Sequence, residues 1–275
     1  MSKILIIGDI HGRPFWKDAV EKHFDECDKI VFLGDYLDAY PNEEITRKQE
    51  KNNFSEIISF KEKNADKVVL LLGNHDLHYI DKDFTRSTRY SSGHAYNYRQ
   101  MYLSHMSLFN IAHEETINGR RYLFTHAGVM NSWYERNKDI IGELNVDNLN
   151  KLNGFKGGMR VLGDVSKYRS WLGYESGSPV WSDAKEKIDL KKSKIDNILP
   201  NEDSIVKPFD FQIFGHTQLA KNPIETNEWI CIDCRRAFIL DDEGKIIDLK
   251  EESKDEKIET DKEHGAVQDT ENDKS

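Results

Sequence analysis

Five short motifs occur in order along the chain, each at the end of an apolar, strand-like run. They are GDIHG at 8–12, GDYLD at 34–38, GNHD at 73–76, THAG at 125–128 and GHTQ at 215–218. The runs that lead into them read KILII, KIVFL, KVVLLL, RYLF and FQIF. Each motif combines a glycine-permitted turn with one to three Asp, Asn or His side chains. Strands distant in sequence can therefore aim oxygen and nitrogen ligands at a single point, with enough ligands for two ions.

The pattern between the motifs fixes the first half of the fold. A strand at about 3–8 precedes Pro14 and a helical segment at 15–27, where Trp16, Ala19, Val20, His23, Phe24 and Cys27 share one face. A strand at about 29–34 follows, then a helix around 43–63 that is apolar only near its end, then a strand at 67–72. This βαβαβ order predicts a parallel α/β sheet whose ligand site lies beyond the carboxyl ends of the strands. Residues 77–118 lack a clean period and are expected to be helical or irregular. From about 121, RYLF, FQIF, WICIDC and RRAFIL are expected to form a second, mixed sheet facing the first. Residues 184–207, rich in Lys and Asp, are expected to be an exposed connection.

Charge and cysteine content narrow the function classes. Formal net charge is −10. Ten acidic against four basic residues in 251–275 leave −6 on that segment and −4 on residues 1–250. A domain over 1–250 with an acidic, disordered tail at 251–275 is expected, and stable nucleic-acid binding is not. Three cysteines are too few for a disulfide framework, and the CxxC at 231–234 lies in a strand-like run that favours buried thiols. Residues 4–7 are too short for a signal segment, and no stretch approaches the ~20 apolar residues of a membrane span. A cytoplasmic location without membrane association is expected.

The ligand types point to particular metals. Asp9 and His11, two apart on an extended segment, would project to one side. Asp35 could bridge two ions, while Asn74, His126 and His216 add oxygen and nitrogen ligands. Carboxylate, imidazole and amide without thiolate suit two divalent ions, Mn²⁺ first and Fe or Zn²⁺ as alternatives. Two such ions clamp a phosphate ester and generate a bridging hydroxide that attacks phosphorus. His75 is placed to protonate the leaving oxygen, and Asp38 to orient His75 and raise its pKa.

The ordered set GDIHG, GDYLD, GNHD, HAG and GHT resembles the calcineurin-like metallophosphoesterase superfamily over roughly residues 3–240. The resemblance implies two mixed β-sheets packed as a sandwich flanked by helices, with a dinuclear metal centre. It implies Asp9, His11 and Asp35 at one metal, Asp35, Asn74, His126 and His216 at the other, and His75 with Asp38 as the acid pair. SPVWSD at 178–183 and Gln218, in place of a second histidine, resemble the Ser/Thr protein phosphatase branch. That branch has Arg where Ala39 stands and Glu where Asp76 stands. Another arginine must then grip phosphate: Arg13, Arg89 and Arg160 are the principal candidates, with Arg86 and Arg169 beside them. The expected substrate is phosphoserine or phosphothreonine in proteins; dinucleoside polyphosphates or other nucleotide esters are the alternative. A scaffold that keeps the fold but binds a partner is the non-enzymatic reading.

Overall fold

The computed structural model describes residues 2–195 and 197–250, so the expected acidic tail lies outside the described residues. Eleven strands are present among them: β1 (Ile4–Ile7), β2 (Lys29–Phe32), β3 (Val68–Leu71), β4 (Phe109–Asn110), β5 (Ala112–Ile117), β6 (Arg120–Thr125), β7 (Phe211–Phe214), β8 (Ile224–Glu225), β9 (Trp229–Cys231), β10 (Ala237–Leu240) and β11 (Ile246–Asp248). They form two mixed sheets, β11-β10-β1-β2-β3-β4 and β5-β6-β7-β9-β8. Helices flank them: α1 (Trp16–His23), α2 (Arg47–Lys63), α3 (Asn74–Ile80), α4 (Ala95–Ser104), α5 (Asn131–Ile141), α6 (Val146–Lys151) and α7 (Lys156–Leu162). No helix among the described residues is long and apolar enough to cross a membrane.

The continuous apolar runs of β1, β2 and β3 have a physical cause: both faces of these strands are covered. Ile4, Ile6, Val31, Val69 and Leu71 meet Tyr122, Phe124, Phe211 and Ile213 of the second sheet. The alternate residues Leu5, Ile7, Ile30, Phe32, Val68 and Leu70 meet Trp16, Phe54 and Ile57 of the helical layer. β1 and β2 pair in parallel, as do β2 and β3, in the expected order. Helix α2 starts later than expected because Thr46 and Gln49 form a reciprocal cap, with Gln49 N–H donating to Thr46 Oγ1 and Thr46 N–H to Gln49 Oε1.

Three expectations need correction. RRAFIL does not join the second sheet: β10 pairs antiparallel with β1, Ile4 opposite Leu240. Both faces of β10 are apolar, so its pattern announces a buried strand without naming the partner. Residues 112–117 are a strand, β5, paired with β6 as an antiparallel hairpin. Its alternation is blurred because one face is exposed at Glu114 and Thr116 while the other carries the half-buried polar residues His113 and Glu115. The 184–207 connection is partly core, since Ala184, Glu186, Lys187, Ser204 and Val206 are buried. The CxxC thiols are free and buried in different places, Cys231 against Phe214 and Trp229 and Cys234 between the sheets.

Behind the first sheet, Phe54 stacks on Tyr36 at 5.2 Å and meets Tyr102 at 4.8 Å. Phe54→Ala is expected to destabilise the protein by about 3–5 kcal/mol, read as a lower urea midpoint.

Candidate metal centre

The five strand ends converge. Asp9 and Asp35 follow β1 and β2, Asn74 opens α3 after β3, His126 follows β6 and His216 follows β7. All are buried except His216, which is nearly so. Directing them inward requires unusual backbone: φ is 43° at His11, 52° at Asp35, 64° at Asp38 and 63° at His216. Non-glycine residues rarely occupy this left-handed region, and a cluster of them marks a functional site. It also corrects the expectation that Asp9 and His11 lie on one extended segment; His11 stands on a left-handed turn.

Close approach accounts for two glycines. A Cβ at Gly73 would collide with the Asp35 carboxylate and the His126 ring, and one at Gly215 with the Asp9 carboxylate. Each glycine is the floor against which a ligand rests. Asp76 ties the loops together: its carboxylate accepts from Asp35 N–H (2.8 Å), Tyr36 N–H (3.0 Å), Gly73 N–H (2.7 Å) and the Tyr102 hydroxyl (2.5 Å).

The hydrogen bonds around the ligands settle which atoms face the centre. His11 Nδ1 donates to Leu37 O (2.8 Å) and His126 Nδ1 to Leu33 O (2.9 Å), leaving Nε2 of each ring with its lone pair inward. Asn74 Nδ2 donates to Ser87 Oγ (2.6 Å), which turns Oδ1 inward as well. Asn74 Oδ1 and His126 Nε2 then lie 3.1 Å apart with no proton to share. Asp35 Oδ2 is 3.4 Å from that Nε2 and 3.5 Å from His11 Nε2. His216 Nδ1 is 3.1 Å from His126 Nε2, and its Nε2 is buried without a partner. Lone-pair atoms packed this closely repel unless a cation lies among them, so the residues fit divalent ions.

Electrostatics agrees. Burial pushes the Asp9 and Asp35 carboxyls well above the usual carboxylate range, with neighbouring carboxylates adding to it. Burial also raises Asp76 and Asp233, each to about 6. Cations would offset this concentration of negative charge.

The family model of the calcineurin-like phosphoesterases matches residues 2–218. The chain belongs to that family. It is a hydrolase of the metallophosphoesterase type, with the two-sheet α/β fold that its motifs predict. No curated protein sequence matches the chain. Among solved structures, it is similar to a protein serine/threonine phosphatase from Saccharomyces cerevisiae at 12% identity and TM-score 0.48, covering 92% of this chain and 82% of that one. A hypothetical protein from Pyrococcus horikoshii has 13% identity and TM-score 0.45, covering 95% and 94%. An archaeal phosphodiesterase has 14% identity and TM-score 0.37, covering 90% and 98%. Family membership rests on the sequence match.

The phosphoesterase's expected acid pair is in contact: His75 Nδ1 lies 2.8 Å from Asp38 Oδ2. Asp38 also accepts from the Tyr79 hydroxyl (2.6 Å) and lies 2.9 Å from His78 Nε2. Burial pushes the Asp38 carboxyl up, but bonds from His75 and His78 outweigh it and hold it at about 2. His75 departs from expectation. Burial lowers it to about 4; Asp38 opposes this only in part, and Arg89 adds to it. Asp38, His75 and His78 also have the spacing of a metal site. The ring protons exclude that use: Ser87 N–H donates to His78 Nδ1 (3.2 Å), so a metal at Nε2 would require an imidazolate.

The arginines separate by position. Arg89 donates from Nε to Asp38 O (2.8 Å), and its Nη2 is 3.4 Å from both His11 Nε2 and His75 Nε2. Arg13 donates to Asp9 O (3.3 Å) but is committed to Glu43. Arg169 pairs with Asp183 (2.7 Å) and donates to His216 O. Arg86 stacks on Tyr90. Arg160 is not brought to the centre: it lines a separate cavity of about 470 Å³ with Asp81, Asp83 and Lys156, beyond the far end of α3.

The roles of four further residues, Asp76, His78, Ser87 and Asp233, escape the sequence reading. Asp76 showed only as a departure from a motif, and Asp233 carried a signal in that it too follows a strand, β9.

Gly73→Ala should displace Asp35 and lower bound Mn²⁺ per chain, measured by elemental analysis, while the fold persists. Metal affinity should rise between pH 5 and pH 8. In the metal-free chain the raised carboxyls hold protons that a metal must displace, whereas His75 and His126, at about 4 and about 3, are already neutral at pH 5. Mn²⁺ titrations at the two pH values check this.

Proposed function

We propose that the chain hydrolyses phosphomonoesters, with phosphoserine or phosphothreonine in proteins as its substrate class. The observation that carries this reading is Arg89. Its guanidinium lies beside His11 and His75 at the edge of a cation site, where it would be repelled unless an anion came between. A dianionic phosphoryl group supplies that anion. Arg89 also hydrogen-bonds to the carbonyl of Asp38, next to Ala39, and so fills the role of the arginine missing from that position.

Asp9, His11 and Asp35 would hold one ion, and Asp35, Asn74, His126 and His216 the other, with Mn²⁺ the preferred metal. When bound, two such ions screen phosphoryl charge and lower the pKa of water. The chain's own residues do the rest. Arg89 aligns the phosphoryl oxygens. Asp38 keeps the His75 proton on Nδ1 and leaves Nε2 facing the substrate. The arriving dianion pairs with Arg89 and raises the affinity of Nε2 for a proton, so His75 becomes an acid where the leaving oxygen needs one.

Gln218 is exposed and offers the centre no further imidazole, which favours a monoester over a diester. Dinucleoside polyphosphates are the second reading, favoured by the gathering of Arg13, Arg89 and Arg235 around the Tyr40 ring, at 5.1, 3.8 and 5.6 Å.

Mn²⁺-loaded protein is expected to prefer p-nitrophenyl phosphate to bis-p-nitrophenyl phosphate; the opposite preference would overturn the monoester reading. Phosphopeptides assayed against diadenosine polyphosphates then separate the two substrate classes. His75→Asn should lower kcat by about 100-fold or more with metal content unchanged. Arg89→Ala should raise KM.

A further inference from the structure

We infer that His78 is a positioning residue that locks the Asp38–His75 pair and the Arg89 segment into one unit; this rests on the general-acid reading of His75. His78 lies three residues after His75 on α3 and is buried. Its ring proton is located by elimination. A backbone N–H can only donate, so the bond from Ser87 N–H leaves Nδ1 as acceptor and puts the proton on Nε2.

That Nε2 lies 2.9 Å from Asp38 Oδ2, the oxygen that also receives the His75 proton. The contact is a close charge–dipole approach rather than a straight hydrogen bond, since the N–H does not point along the line to the oxygen. We take it as attractive: a deprotonated nitrogen at 2.9 Å would oppose its lone pair to a carboxylate with no water to intervene, Asp38 being fully buried. Tyr79 holds the other Asp38 oxygen.

The outer sides of the same two residues hold the segment that carries Arg89. Ser87 N–H is bound to His78, and Ser91 N–H donates to the Tyr79 hydroxyl (2.9 Å). Tyr90 stacks on Tyr79 at 5.1 Å and meets the His78 ring edge-on at 4.9 Å. Arg89 thus stands between two anchors, in a left-handed conformation with φ 67°. The Ser87 hydroxyl in turn fixes the Asn74 amide. A histidine serving only as core filler would have no reason to join a proton-donor pair to a phosphate-binding segment through its two ring nitrogens.

Two variants divide the two contacts. Asn reaches about as far as Nδ1, so His78→Asn keeps a partner for Ser87 and loses Asp38. Gln reaches about as far as Nε2, so His78→Gln does the reverse. The full chain, reconstituted with Mn²⁺, is assayed on phenyl phosphate, whose leaving group needs a proton, and on 2,4-dinitrophenyl phosphate, whose leaving group does not. His78→Asn is expected to lower kcat roughly 10-fold on the phenyl ester and far less on the dinitrophenyl ester. His78→Gln should keep kcat on the phenyl ester and raise KM. Equal losses on both esters for His78→Asn, or none on either, would overturn the inference. Should that variant fail to bind metal, His78→Gln decides: retained kcat supports the inference, and a lowered kcat with metal bound refutes it. His75→Asn is measured alongside. If it shows no dependence on the leaving group, the general-acid reading fails and takes the inference with it; if it does and His78→Asn does not, only the inference falls.

Discussion

Lone-pair repulsion in a buried space is the condition on which the rest of the structure turns. The Asp35 carboxylate, an amide oxygen and imidazole nitrogens face one another at the ends of strands from both sheets. Outward-facing bonds to Leu33 O, Leu37 O and Ser87 Oγ use the protons of His126, His11 and Asn74, so relief falls to protons on the raised carboxyls or to cations that displace them. The fold holds this arrangement through left-handed turns and through glycines that yield their Cβ volume to Asp9 and Asp35. Such an assembly is a poor way to stabilise an apo-protein and a good way to grip cations.

The ligands were legible in the sequence because the signal is local. A short apolar run followed by glycine and a polar residue puts that residue at a strand end wherever the strand lies. The parallel order of β1, β2 and β3 was legible for the same reason. Pairing is a different matter. β10 joins β1 across about 230 residues, and its continuous apolar run would have suited either sheet. β5 hid because one of its faces is solvated and carries charge.

The supporting residues were hidden for a deeper reason: their roles are relations between loops. Asp76 was visible only as a departure from a familiar motif, yet its carboxylate joins two strand-end loops by accepting from both. Arg89 was one arginine among several until the fold laid it over Asp38 and against two histidines. Arg160, equal to it on paper, stands on the exposed side of α7. His75 shows how balance can defeat a correct contact: the bond to Asp38 is present, and burial still outweighs it.

The position of β1 between β2 and β10 has a consequence for synthesis. A chain leaving the ribosome can pair β1 with β2 early, but the other edge of β1 stays open until β10 has emerged near residue 240. Until then the nascent chain carries Asp9, His11, Asp35 and Asn74 without the complete second sheet that brings His216 to them. An open strand edge beside unpaired carboxylates is a surface on which another chain can pair. The metal centre and the closure of that edge therefore arrive together, late, as the stretch from β7 to β10 is made.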